Sequence, residues 1–115
     1  MKNTVSIKEN HVFRRLYSKG KSAVSPYLAI YIRRNGSQRN RLGLTVSTKL
    51  GKAVVRNRVR RRIREVYRLH EQELLRGYDV VIVARMRTVN CKYSALDRSF
   101  CTLVDKLGLR RKEAE

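Results

Sequence analysis

Eight basic side chains lie within the seventeen residues from 52 to 68, and their types suit binding to a polyanion. Seven of them are arginines, and one acidic residue, Glu65, stands among them. A guanidinium group is planar and forked, so it binds two phosphate oxygens at once and stacks on bases, whereas lysine acts as a point charge. The segment therefore predicts a surface for nucleic-acid phosphates. Its candidate contact residues are Lys52, Arg56, Asn57, Arg58, Arg60, Arg61, Arg62, Arg64 and Arg68.

A second group of residues combines aromatic rings with cations, and single-stranded nucleic acid stacks on such surfaces. Phe13 and Tyr17 are four residues apart, so they share a face if their segment is helical. Arginines and lysines flank them in the sequence. The two rings are either core residues or part of a stacking surface, and their spacing leaves both interpretations open.

Apolar and polar residues alternate in the segments 27–34 and 41–47, which predicts strands with one apolar and one polar face. The polar face is either solvated or the floor of a binding surface that has Phe13 and Tyr17 on one wall. The candidate binding residues on this face are Tyr27, Tyr31, Arg33, Arg41 and Thr45.

The acidic residues, histidines and cysteines do not indicate catalysis by the chain itself. The nine carboxylates are mostly spaced along exposed positions, and no pair of them is flanked by a histidine or by a third acid at metal-site spacing. His11 and His70 fall on different predicted helices, and neither they nor Cys91 and Cys101 have the spacing of zinc ligands. We therefore predict free thiols, no catalytic residue and no metal or cofactor bound by the protein alone.

Local signals predict the elements that position these groups. Ser6 and Glu9 match an S-x-x-E capping box, so a first helix is expected from Ser6 to about Gly20. The segments 27–34 and 41–47 are expected to pair as an antiparallel hairpin, because the loop between them opens with Asn-Gly.

The arginine-rich segment is expected to form a helix that begins at Lys52 and continues to Gly77. Its apolar residues follow helical spacing and should form one buried stripe. These residues are Val55, Val59, Ile63, Val66 and Tyr67. A buried strand at 79–84, a last helix at 94–107 and a frayed tail from about 109 complete the prediction. The order strand, helix, strand predicts a βαβ crossover, which is right-handed by default.

Length and composition limit the class of protein to which the chain can belong. A chain of 115 residues that is 42% hydrophobic predicts one folded domain, residues 1–115. A formal net charge of +19 favours a nucleic-acid partner. The sequence contains no apolar run long enough to span a membrane and no secretory signal, so we expect a cytoplasmic protein with no membrane partner.

The run from Lys49 to Glu65, KLGKAVVRNRVRRRIRE, resembles the RNR signature of the bacterial ribonuclease P protein component. The flanking segments GLTVSTK, at 43–49, and YDVVIVAR, at 78–85, are also similar to this family. The resemblance runs from about Ile7 to Leu107 and covers nearly the whole chain.

This resemblance implies an α+β fold like the second domain of ribosomal protein S5, a single-domain α/β sandwich whose crossover is left-handed. It also implies that a catalytic RNA subunit removes the 5′ leader of precursor tRNA with Mg²⁺ held by that RNA. The arginine segment would then bind the ribozyme, and the aromatic face would hold the leader. No small-molecule cofactor is implied.

Two other functions remain open on the residues alone. A ribosomal or other structural RNA-binding protein would carry the same charge without a role in cleavage. A helix-turn-helix DNA reader is less well supported, because no second helix with a short turn precedes Lys52.

Overall fold

A computed structural model describes residues 4–111 of the chain. Within these residues, five strands and three helices follow one another along the chain. The strands are β1 (Thr4–Ser6), β2 (Lys21–Val24), β3 (Leu28–Arg34), β4 (Asn40–Thr45) and β5 (Tyr78–Ala84), and the helices are α1 (Asn10–Lys19), α2 (Ala53–His70) and α3 (Tyr93–Lys106).

The strands form one mixed sheet in the order β1-β4-β5-β3-β2. The predicted hairpin between β3 and β4 is wrong, because β5 lies between these strands and pairs with both of them. β3 forms its hairpin with β2 instead. The central position of β5 explains its continuous apolar sequence, since a central strand covered on both faces has no solvated side.

The unit formed by β4, α2 and β5 confirms the predicted βαβ connection, and its two strands run parallel. α2 buries four residues of the predicted stripe and half-buries the fifth, Val55. The helix ends at His70 rather than near Gly77. A 3₁₀ turn at Glu71–Glu73 follows, and Leu74 is extended and bridges to Arg110, so the chain leaves the helix axis seven residues earlier than predicted.

Helices cover both faces of the sheet. Leu28, Ile30 and Ile32 of β3 point to the face that packs against α2 and α3, where the larger core cluster lies. A smaller cluster on the opposite face joins Val12 and Leu16 of α1 to the sheet. These two layers confirm the predicted α+β class, a small mixed sheet with helices packed on it.

Two further predicted boundaries are wrong. α1 begins at Asn10, because Ser6 belongs to β1 and the residue at the helix cap, Glu9, makes no capping hydrogen bond with its side chain. The tail does not fray at 109. Leu109 is fully buried, and Leu75 donates a backbone hydrogen bond to its carbonyl at 2.7 Å. The last part of the predicted tail, 112–115, lies outside the described residues.

Across residues 4–111, none of the helices combines the length and the apolar character that crossing a membrane requires.

Candidate nucleic-acid interface

The arginines of α2 divide into three groups by what their side chains contact. Arg62 donates to the backbone carbonyl of Cys91 at 2.7 Å, and Arg58 donates to that of Val89 at 3.0 Å. Both side chains therefore tie α2 to the loop that precedes α3. Within residues 4–111, the exposed Arg61 and Arg64 have no hydrogen bond or ion pair.

Other basic residues of α2 make local contacts along the helix. Arg68 binds both carboxylate oxygens of Glu65, at 2.6 and 3.0 Å, and this hydrogen bonding lowers the pKa of Glu65. Arg56 donates to the carbonyl of Gly51 at 3.2 Å. Arg60, Arg64 and Arg68 follow Arg56 at four-residue steps, and such like-charge pairs oppose helix formation by a few tenths of a kcal/mol each. An anion bound along this row would relieve the repulsion.

Phe13, Tyr17 and Tyr31 form a cluster of rings between α1 and the sheet. The ring centroids of Phe13 and Tyr17 are 6.5 Å apart, and Tyr17 meets Tyr31 edge-on at 5.0 Å. The hydroxyl groups of Tyr17 and Thr45 are hydrogen-bonded at 2.8 Å. Tyr17 is 41% exposed, so one ring of the cluster is open to a ligand. The structure thus brings together four of the seven residues predicted for the aromatic surface.

Gly43 on β4 determines how closely Phe13 approaches the sheet. A Cβ atom at Gly43 would lie 2.7 Å from two atoms of the Phe13 ring, which is shorter than any ordinary contact. The half-buried Phe13 ring therefore rests directly on the β4 backbone. Sequence reasoning missed this role, although a glycine at an outward position of a predicted strand is a recognised signal for close approach.

Arg33, Asp79 and Arg41 occupy one row across three strands, because β5 pairs with β3 on one side and β4 on the other. Arg41 binds both oxygens of the buried Asp79, at 2.6 and 2.7 Å. These hydrogen bonds raise the pKa of Arg41. Arg41 is therefore committed to a protein carboxylate, whereas Nη1 of Arg33 is buried with no hydrogen-bond partner among the described residues.

Tyr27 lies apart from the other predicted aromatic residues. It precedes β3 and packs, partly buried, against the larger core cluster on the α2 and α3 side of the sheet. The strand alternation that predicted a shared face with Tyr31 does not extend to Tyr27, because regular pairing begins at Leu28.

The arginine helix and the aromatic cluster meet at one edge of the sheet. Arg60 and Arg64 of α2 line a small groove together with Phe13 of α1. The two predicted binding surfaces are therefore adjacent rather than separate. A nucleic acid that stacks on Phe13 would come close to two arginines assigned by the sequence to the other surface.

Known proteins resemble this chain over nearly its full length. The family model described as Ribonuclease P matches residues 1–108. The chain is 43% identical to the ribonuclease P protein component of Clostridioides difficile over 107 residues, which cover 92% of this chain and 94% of that protein. It is 40% identical to the same component of Alkaliphilus oremlandii over 109 residues, covering 95% and 96%.

Solved structures agree with these sequence matches. The Staphylococcus aureus RNase P protein superimposes with a TM-score of 0.84 at 31% identity, and the match covers 92% of this chain and 97% of that one. The Thermotoga maritima RNase P protein gives a TM-score of 0.79 at 26% identity, with coverage of 95% and 98%. The family match, the curated relatives and the fold agree, and the chain belongs to the ribonuclease P protein family.

Proposed function

We propose that this chain is the protein subunit of a ribonuclease P that binds both the catalytic RNA and the 5′ leader of precursor tRNA. The arginines of α2 contact phosphates of the catalytic RNA. The α1 face of the sheet holds the single-stranded leader by stacking. Together these contacts aid removal of the leader, which gives the mature 5′ end of the tRNA.

The observation that carries the proposal is the partly exposed ring cluster of Phe13, Tyr17 and Tyr31. Stacking on aromatic side chains is worth about 1 to 3 kcal/mol per base and tolerates every base, which suits leaders of varied sequence. Cations at the edge of the cluster, Arg60 and Arg64, add phosphate contacts where the two RNAs meet. The combination of rings and guanidinium groups fits a single strand better than a duplex.

The bond cleavage itself is assigned to the RNA subunit. Mg²⁺ held by that RNA would supply the activated water and stabilise the leaving oxygen. The protein reduces repulsion between two polyanions, because its net charge of +19 offsets phosphates that approach one another. Its residues bind and orient the substrate rather than transfer protons.

The test is cleavage of precursor tRNA at low Mg²⁺ by the protein, by the RNA subunit, and by both together. We expect efficient release of the leader only with both components. Mature tRNA serves as the binding control, because it lacks the leader. Cleavage by the protein alone would contradict the assignment of chemistry to the RNA. Equal cleavage with and without the protein would instead favour a structural RNA-binding role.

A further inference from the structure

Three side chains with different donor atoms converge where the end of α2 meets α3. His70 is the last residue of α2, and Asp97 and Cys101 lie one turn apart on α3. Nε2 of His70 is 2.6 Å from Oδ1 of Asp97 and 3.5 Å from Sγ of Cys101. One donor atom from each residue lies within 4.8 Å of the other two, and all three residues are partly buried.

This donor set suits zinc. Imidazole nitrogen, thiolate sulfur and carboxylate oxygen are the three ligand types that Zn²⁺ takes in proteins. Tetrahedral bonds of about 2.0 Å to nitrogen and about 2.3 Å to sulfur place these atoms about 3.5 Å apart, as Nε2 and Sγ are here. Asp97 would have to move its oxygen away from Nε2, to about 3.3 Å, and its side chain is 36% exposed.

A second contact to His70 independently matches a metal site. The other ring nitrogen, Nδ1, is 3.0 Å from Oε2 of Glu73, and Arg110 contacts the other oxygen of Glu73 at 2.8 Å. Histidines that bind metals through one nitrogen almost always donate the other N–H to a carboxylate, a carbonyl or water. With a metal on Nε2, Glu73 would accept the Nδ1 proton and hold the imidazole in the orientation that the metal requires.

We propose that Nε2 of His70, Oδ1 of Asp97 and Sγ of Cys101 bind one Zn²⁺ ion, with water at the fourth position. In the metal-free protein, burial lowers the pKa of His70, but the hydrogen bonds to Asp97 and Glu73 outweigh it and raise the pKa. Burial raises the pKa of the Cys101 thiol. Zn²⁺ binds the thiolate and the neutral imidazole, so a proton on Sγ or Nε2 must leave as the metal bonds form, and binding should weaken at low pH.

The site lies between two helices of the larger core layer. The ring of His70 stacks on Phe100 at 5.8 Å, within the layer formed by α2 and α3. The aromatic cluster lies on the opposite face of the sheet. A zinc ion here would join the end of the arginine helix to α3, away from the proposed leader surface.

The experiment is a Co²⁺ titration of the reduced, chelator-treated full chain, followed by visible and near-ultraviolet absorption. Co²⁺ replaces Zn²⁺ in tetrahedral sites and reports a thiolate ligand by a charge-transfer band. We expect one equivalent to bind, the thiolate band to appear, and one equivalent of Zn²⁺ to remove it. If the folded wild-type chain shows no such band, the proposal is overturned.

Matched cysteine variants locate the site. Cys101→Ser should lose the thiolate band, whereas Cys91→Ser should keep it, because Cys91 lies in the loop before α3 and is not part of the site. Glu73→Gln keeps all three ligands and should weaken Zn²⁺ binding about 10- to 100-fold. His70→Gln provides a second test of the ligand set if Cys101→Ser does not fold. A band that survives in both Cys101→Ser and His70→Gln would show adventitious binding elsewhere and would overturn the proposal.

Discussion

Tyr17 combines an exposed ring with a hydroxyl that is bonded to Thr45. If its ring stacks on a leader base, Tyr17→Ala should weaken binding of precursor tRNA by about 5- to 100-fold. Tyr17→Phe keeps the ring and loses only the hydrogen bond, so it should stay near wild type. The measurement is the ratio of precursor to mature tRNA affinity for each variant, with the catalytic RNA saturated by protein.

Tyr93 is the matched control for Tyr17. It is 39% exposed, but it lies on α3, in the layer on the other side of the sheet. Tyr93→Ala should leave the affinity ratio unchanged. A loss of affinity for both tRNAs together with a lower melting temperature would assign Tyr17 to the core and remove it from the leader surface.

Sequence patterns predicted that Phe13 and Tyr17 share a helix face and that Tyr31 lies on the polar face of its strand, but they left open whether these rings meet. They could not predict that Asp79 would engage Arg41, since that pair depends on β5 entering the sheet beside β4. The same limit applies to His70 and Cys101. These residues are 31 positions apart and meet only through the packing of α2 on α3.

At the scale of the element, α2 contains two neighbouring arginines that differ in their contacts: Arg61 is exposed and makes no hydrogen bond or ion pair among the described residues, whereas Arg62 is bonded to the carbonyl of Cys91. Arg61→Ala removes an exposed cation and should make the salt dependence of RNA binding shallower by about one unit in log K against log salt. The melting temperature should not change. Arg62→Ala instead loses the bond to the Cys91 carbonyl, and the protein should be destabilised by about 1 kcal/mol.

The measurements are a salt series of binding to the catalytic RNA and a thermal melt of each variant. If Arg61→Ala and Arg62→Ala change the salt dependence of binding and the melting temperature equally, the distinction between exposed and tethered arginines in α2 is incorrect.

The existence of α2 and α3 followed from their apolar spacing, whereas their ends did not. The S-x-x-E signal at Ser6 also misplaced the start of α1, whose cap position is Glu9. Ser6 is taken into β1, where pairing with Leu42 outweighs the local capping preference. A local sequence motif cannot predict long-range pairing of this kind.

At the scale of the whole molecule, the net charge of +19 predicts steep salt sensitivity. If about six to ten phosphates are neutralised, affinity for the catalytic RNA should fall by about three to five orders of magnitude between 50 and 200 mM salt. The check is the dissociation constant measured across that range with Mg²⁺ held constant. A flat dependence would mean that shape or stacking, rather than charge, dominates binding.

Charge and periodicity indicated a basic α+β domain, but they could not predict the order of the strands in the sheet. Adjacent strands in sequence are often adjacent in space, and this favoured a hairpin of β3 with β4. The actual order places β5 between them because the chain returns through α2, and no residue in the loop 35–39 signals that insertion.

The central place of β5 also governs when the chain can fold during synthesis. β3 and β4 emerge from the ribosome first, each lacking the neighbour that occupies one of its edges in the finished sheet. Synthesis must proceed through Ala84 before that gap can close, and non-local pairings of this kind form slowly. Until then two apolar strands present open edges, which are templates for aggregation. The nascent chain is therefore most vulnerable after β4 has emerged and before β5 has, the interval in which α2, its most cationic segment, emerges.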